Sequence, residues 1–584
     1  MGDSRALGLR RLVLTVAVAV YLALGLRFGR SFSAFGEEVL VQPGPAQTVL
    51  MVPEGAAANT DALAAPTCRR GEVHSLWLPD RPRWSLCAGG RMWPIMLAGY
   101  LGAFLFWPLG VAGAALGDDL LLRRALSTAV GAFALLVGAR LARESDGDEA
   151  EAPTALALAT TPAFVVVHAL FLHYETAPST LACLAGLLYA RDLRRGGPRP
   201  RTLYVMALLA GVALAVNLRF ALVLAAAGVT AWRLRAPRGE LRARHLLPAA
   251  GYFALGLLPS ALRYALDPTG MQEDRSSLLL PALRANLARP WVIARTLDDV
   301  LRWWGNLADY LSQFNGPAGF NLPAYLIAAA AMAWTVVGGL RALWRREGSP
   351  LQAMLSLTIL GFWVAGALIY VTYPRNMAPL HAAFGLALGL ALHGLSRRLA
   401  RRGLGALPRL AVCAALVAPF AVNVEQLRAG SLRSPAPFNL VSERAMAEYL
   451  RAHPTPGGLL IVYDLYLGGV FEGLGSGGAE FAYAEPLFQS CDRDDRACLA
   501  ARARALLAWC GDRPLRVMIL APDPSLLPRD RGPSFASFRE TLRAAGARVE
   551  DEFHAPTPAG TEGILLLRVD PRVESASTPT PGGS

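Results

Sequence analysis

Glu37 and Glu38 stand side by side a few residues beyond the first apolar run of the chain. Adjacent carboxylates close to a membrane surface suit one task, taking the proton of an acceptor hydroxyl. An unperturbed glutamate is ionised at neutral pH and needs no tuning to act as a base. Asp61, Glu72 and Asp80 are further acids in the same polar stretch, 30–107. A base alone transfers nothing, because a departing phosphate needs cations. Arginine meets a phosphate with two parallel, charge-assisted hydrogen bonds. Arg375, in YPRNMAPL at the end of one span, and Arg219, in the tight turn AVNLRF, are the arginines so placed. A charge at the membrane edge is costly to keep without a use. His173, Tyr174 and Glu175 form a polar cluster between two spans, suited to sugar hydroxyls or a metal. The glycines of EGLGSGGAE have no helix behind them in the right place and read as a loop. The absence of any CxxC removes the usual support for zinc or redox chemistry.

These residues need a scaffold, and the composition names it. The 584 residues are 54% hydrophobic and 17% charged, and runs of membrane-spanning length recur as far as residue 424. The basic residues are all arginine, and with the abundant Ala, Gly and Pro they suggest a GC-rich bacterial genome. A net charge of +13 could signal nucleic acid. Here the arginines crowd short loops between spans, so membrane orientation accounts for them and no nucleic-acid partner is expected.

A basic start and an apolar centre at 12–26 read as a retained anchor, with its N-terminus in the cytoplasm. Further spans centre on 125–141, 154–172, 177–190, 203–216, 220–232, 246–266, 322–343, 351–372, 378–395 and 410–424. Arginine clusters at 191–201, 233–244, 341–346 and 397–402 should all be cytoplasmic. That parity holds only if the apolar stretch 95–116 does not cross but lies on or dips into the outer surface. The expected fold is therefore an all-α polytopic bundle of about eleven spans carrying a C-terminal soluble α/β domain. By residue, 1–29 is the first helix and 30–117 an extracytoplasmic loop with an interfacial segment. The bundle is 118–428 with an outer loop at 267–321, the α/β domain is 429–570, and 571–584 is a tail. In the α/β domain, 441–453, 497–509 and 535–547 read as helices, and 458–464, 515–523 and 563–570 as strands.

Cys68 and Cys87 lie outside, in a compartment that permits disulfides, and enclose 18 residues. Their closure is worth about 3 kcal/mol in the chain-entropy model. Cys491, Cys498 and Cys510 are also outside, and one of them is left over. Cys183 and Cys413 fall within spans.

The layout resembles the GT-C superfamily of polytopic glycosyltransferases, in a family-39-like form that uses polyprenyl-phosphate sugars. The resemblance rests on a first helix followed by an acidic outer loop and on the surface segment with Tyr100, Gly102, Ala103 and Trp107. It continues in Gly117 with Arg123 or Arg124, and in the Arg and Pro-Leu of YPRNMAPL before a late span. It covers residues 1–424 by architecture. The acids here lack the aromatic that usually follows them, and Arg375 is followed by Asn376 where relatives carry tyrosine. The resemblance implies a bacterial inner-membrane enzyme acting on its outer face, with Glu37 or Glu38 as base and Arg375 and Arg219 on the donor phosphate. Tyr100, His173 and Glu175 would contact substrate. It implies a lipid, glycan or protein acceptor and leaves a divalent cation open. Two other classes compete: a transporter, which would show broken helices near the midplane, and a non-catalytic scaffold for envelope assembly.

Overall fold

The computed structural model describes residues 2–31, 44–45, 49–51, 72–75, 78–88, 91–98, 101–102, 104, 107–116, 120–170, 173–234, 243–266, 291–305, 320–369, 380–433, 440–462, 479–488, 491–492, 494–520, 535–555 and 564–570. Glu37, Glu38, Asp61, Cys68, Tyr100, Ala103, Gly117 and Arg375 lie outside them, as do the glycines at 473–478.

The first helix, α1 (Gly2–Gly29), leads into a polar loop that carries strands β1 (Gly44–Pro45), β2 (Val49–Met51), β3 (Glu72–Ser75), β4 (Leu78–Ala88), β5 (Arg91–Ala98) and β6 (Leu101–Gly102). A short helix, α2 (Trp107–Leu116), follows. The apolar stretch 95–116 is thus split between strands and a ten-residue helix, which at 1.5 Å per residue extends only about 15 Å. No single membrane-length helix forms there among the described residues. The bundle continues as α3 (Leu120–Asp146), α4 (Glu151–Thr160), α5 (Pro162–Ala169), α6 (His173–Arg194), α7 (Pro200–Val216), α8 (Ala221–Arg233), α9 (Leu246–Leu266), α10 (Trp291–Gly305), α11 (Leu322–Arg345), α12 (Pro350–Ile369), α13 (His381–Arg401) and α14 (Ala406–Arg433).

Every expected span has a helix, and the structure does not confirm the expected count of about eleven crossings. Among the described residues four helices are long and apolar enough to cross a membrane, and five if the bent pair α4–α5 counts as one. The bend of 59° follows from Pro162. A proline bars its predecessor from helical geometry and withholds an N–H, and Thr161 is accordingly extended. At the centre, α13 presses against α4 so closely that a Cβ on Gly389 would stand 2.5 Å from the Thr154 Cα.

The ends of the helices sort into two groups. At one end Glu151, 1% exposed, meets Arg140 at 3.2 Å, Arg143 at 3.8 Å and Arg10 at 3.9 Å. There Asp148 pairs with Arg10 and Arg143, Arg194 with Glu144, and Arg409 with Glu149. Ser349 donates to Asp146 at 2.9 Å, and Arg233 to the Leu343 carbonyl at 3.2 Å. The start of α1, the α3–α4 link, the α6–α7 turn and the ends flanking 346–350 and 402–405 thus share this arginine-rich end. The end of α1, the starts of α3, α6 and α13 and the turn between α7 and α8 take the other, the loop end.

The loop strands form a sheet in the order β1-β5-β4-β3, with β6 added to β5 and the pairs antiparallel. The described residues of the polar loop thus carry a sheet, which its irregular pattern did not announce. In the C-terminal region α15 (Leu440–Ala452), β7 (Leu459–Val462), β8 (Glu480–Tyr483), α16 (Glu485–Phe488), α17 (Arg496–Cys510), β9 (Leu515–Leu520), α18 (Phe535–Ala544), β10 (Arg548–Ala555) and β11 (Ile564–Asp570) build a mixed sheet in the order β10-β11-β9-β7-β8-β2. Its last strand comes from the first loop. Val49–Met51 pairs in parallel with Phe481–Tyr483. The loop and the C-terminal domain, which read as separate units in the sequence, share one sheet. Leu506, Val517, Phe538 and Leu567 lie in the core between that sheet and α17 and α18.

Candidate functional site

The loop end is where the structure gathers polar groups inside an otherwise apolar bundle. Arg124, 2% exposed, donates from Nη1 to the Gly29 carbonyl at 2.5 Å. A helix ends with carbonyls that lack intrahelical partners and carry partial negative charge, so a guanidinium there caps α1. Arg124, one of the two arginines that fit the resemblance at the start of the second span, therefore fixes the point from which the chain runs toward Glu37 and Glu38.

About two turns deeper, α1, α3 and α5 meet at Gly131. A Cβ there would lie 1.8 Å from the Tyr21 hydroxyl and 2.6 Å from the His168 ring, so only glycine fits. His168 is fully buried, and its Nδ1 contacts the Phe164 carbonyl at 2.8 Å. Its Nε2 and the Tyr21 hydroxyl have no hydrogen-bond partner among the described residues. The His168 ring stands edge-on to His381, with centroids 5.3 Å apart, and His381 Nδ1 lies 3.5 Å from Ser179 Oγ. His381 opens α13, five residues after Asn376. Sequence reading passed over both histidines, because a lone His in VVVHAL or PLHAAF has no partner at any diagnostic spacing.

Arg219 sits, half-buried, in a 3-10 turn over Leu218–Phe220. Asn217, fully buried, accepts the Arg219 backbone N–H at 3.0 Å and so shapes the turn. Strand β6 of the first loop packs against α7 and β5 against α9, so the loop sheet meets the two helices packed together behind this turn. His173 opens α6 and Glu175 lies in its first turn; their side chains lie outside what the structure describes. Glu72 falls in β3 opposite Trp84, Asp80 in β4, and Cys87 in β4 opposite Met92. Trp107 starts α2, 6.0 Å edge-on from Trp93.

The stretch 267–321 supplies α10, an amphipathic helix against α5, α11 and α12. Asp298 accepts from Tyr325 at 2.7 Å and from Arg302 at 2.8 Å. Burial pushes the neighbouring Asp299 carboxyl up to about 6; Arg295 and Arg302 oppose that rise, and Asp298 adds to it. Trp304 closes the helix, fully buried and stacked on Phe384 at 5.0 Å. Asp298 and Asp299 were not among the expected site residues, since their loop carried no motif.

The structure settles the leftover cysteine. Cys491 and Cys498 are disulfide-bonded with Cα atoms 5.7 Å apart, and Cys510 is free and buried. No group of three or more His, Cys, Asp or Glu side chains with metal-binding geometry occurs among the described residues.

No family model and no curated protein matches the chain. Solved structures do align with most of it. An ArnT from Cupriavidus metallidurans, bound to undecaprenyl phosphate, shows 13% identity and a TM-score of 0.49 over 96% of this chain and 98% of that one. The archaeal oligosaccharyltransferase AglB from Archaeoglobus fulgidus, in complex with an inhibitory peptide and a dolichol-phosphate, shows 13% and 0.46 over 95% and 74%. The arabinofuranosyltransferase AftD from Mycobacteria shows 16% and 0.47 over 96% of this chain and 41% of its own. These structures to which the chain is similar are GT-C glycosyltransferases, the class the sequence resembles.

Proposed function

We propose that the chain is an integral-membrane glycosyltransferase. It moves a sugar from a polyprenyl-phosphate donor to a lipid, glycan or protein acceptor on the extracytoplasmic face of a bacterial inner membrane. One observation supports this most directly: the sorting of the helix ends. The loop that bears Glu37 and Glu38 leaves from Gly29, which Arg124 clamps, and the Asn217–Phe220 turn with Arg219 lies at the same end. His381, six residues beyond Arg375, is there as well. The arginine-rich links fall at the opposite end, which the positive-inside rule assigns to the cytoplasm. A lipid-borne donor presents its phosphate at headgroup depth, beside the first group.

In the reaction, Glu37 or Glu38 accepts the proton of the acceptor hydroxyl. The freed oxygen attacks the anomeric carbon, and the bond from that carbon to the phosphate oxygen breaks. The polyprenyl phosphate leaves with an added negative charge, which Arg375 and Arg219 stabilise. Attack from the face opposite the leaving group inverts the anomeric centre. Tyr100, His173 and Glu175 hold the sugar.

Membranes containing the chain, given radiolabelled sugars on defined polyprenyl phosphates, transfer label to an acceptor. Failure with every donor at verified expression overturns the proposal. The broken α4–α5 helix favours a second reading, a transporter. The same vesicles separate the two, since a transporter accumulates free labelled solute inside and forms no product.

A further inference from the structure

Between α6, α7, α8 and α12, with α13 behind, the bundle encloses a cavity of about 540 Å³ that the proposed transfer does not use. It runs from Ser179 and Phe220 to the arginine-rich end, and its walls are mostly apolar. Exposed Arg346 and Glu347 line its mouth beside the Arg194–Glu144 pair. That pair is satisfied at 3.4 Å, whereas Arg346 and Glu347 have no ion pair among the described residues.

Two details show that this mouth is unusual. Arg346 caps α11 in the left-handed conformation, with φ 59°, and among the described residues it is the one non-glycine there. Glycine normally takes that position, so an arginine is held where its backbone is disfavoured. Thr230, 5% exposed, belongs to the cavity wall, and its hydroxyl finds no partner among the described residues. Thr358, 2% exposed and deeper on the same wall, is likewise without a partner among the described residues, whereas Thr128 and Thr180 donate to the carbonyl four residues back, of Arg124 and Thr176.

We infer that the cavity takes one acyl chain of a phospholipid from the leaflet at the arginine-rich end, whose headgroup carries a phosphate and a primary ammonium, the second chain staying in the bilayer. A single acyl chain matches the volume and the apolar walls. One free cation and one free anion at the mouth match a zwitterion, with Arg346 on the phosphate and Glu347 on the ammonium. Thr230 stands three residues from the end of α8, about 5 Å below the mouth. An ester carbonyl of such a lipid falls at that depth and accepts the unpartnered hydroxyl. A polyprenyl tail is pure hydrocarbon and offers Thr230 nothing. This ligand therefore differs in chemistry and in leaflet from the donor, and its binding does not depend on the transferase reading.

The test is native mass spectrometry of the full chain in detergent, titrated separately with phosphatidylethanolamine, phosphatidylglycerol, phosphatidylcholine and a polyprenyl phosphate. Phosphatidylethanolamine is retained about tenfold more tightly than phosphatidylcholine. Arg346→Gly, which relieves the backbone while removing the guanidinium, loses about tenfold in that binding. Glu347→Gln loses the preference for ethanolamine over choline, and Ala227→Trp, on the wall, loses the lipid altogether. Thr358→Val, about 12 Å down α12 on the same wall, keeps it. Equal retention of all three phospholipids overturns the inference, as does unchanged binding in Arg346→Gly. Displacement by the polyprenyl phosphate overturns it too, and assigns the cavity to the donor tail.

Discussion

Replacing both Glu37 and Glu38 with glutamine keeps their size and removes the only groups in FGEEVL able to hold a proton from the acceptor. Turnover then falls by about 10²–10⁴ while donor binding stays, whereas Arg375→Ala or Arg219→Ala weakens donor binding as well. Transfer rates and donor titration at matched membrane expression decide it, and near-normal turnover in the double glutamine variant sinks the assigned base. Asp299 carries a pH signature. Its carboxyl, raised to about 6 from an ordinary 3.8, holds its proton more tightly in the folded chain. The stability this contributes is complete below about pH 3.8 and is lost as pH rises through about 6. Between those values the melting temperature of the native chain should fall more steeply than that of Asp299→Asn, and parallel curves refute the assignment. In the C-terminal domain burial pushes the Cys510 thiol up to about 12, so it resists alkylation at pH 8 until the domain unfolds. Peptide mapping without reductant should find it free and Cys491 joined to Cys498. The acids and arginines were legible in the sequence because type and position relative to a span suffice to pick them out. Tyr21, His168 and His381 were not, since three helices and Gly131 bring them together and no spacing records it.

At the scale of elements, the buried pair in the C-terminal sheet is the sharpest test. Arg516 on β9, 8% exposed, holds Glu552 on β10 through two hydrogen bonds and donates to the His453 carbonyl at 2.6 Å. Tyr449 on α15 adds a hydroxyl at 3.4 Å from Glu552 and stacks on Phe553 at 4.0 Å. The group binds α15 to the sheet. Glu552→Leu alone strands a buried cation and costs about 3–5 kcal/mol, while Arg516→Met with Glu552→Leu comes out near neutral. Amide exchange along β9–β11 measures both, and a double variant as weak as the single one refutes the pairing. The helices and strands read from residues 441–570 are present, because a buried face leaves a period in the sequence. Strand β10 was missed for a physical reason: RVEDEFHA lies at the sheet edge, where charge protects against further pairing and erases the apolar alternation.

For the whole molecule, orientation is the first thing to measure. A phosphatase fused after Gly430 should be active and one fused at Gly196 silent; the reverse places the loop end in the cytoplasm and removes the proposed site from the outer face. The two-ended bundle was legible from its arginine clusters. The union of the first loop with the C-terminal domain was not, because three residues, VLM, carry no sign of a partner so far along the chain. That union also sets a timetable for biogenesis. Val49 pairs with Phe481, so β2 leaves the ribosome while its neighbour is still unsynthesised. At ~5–20 residues per second the interval is about 20–90 s. Throughout it the acid-bearing loop has no edge strand to close against. A nascent chain stalled before β8 is therefore open to protease at the first loop, and the finished chain is protected there, so the chain is assembled last at the place where the proposed site lies.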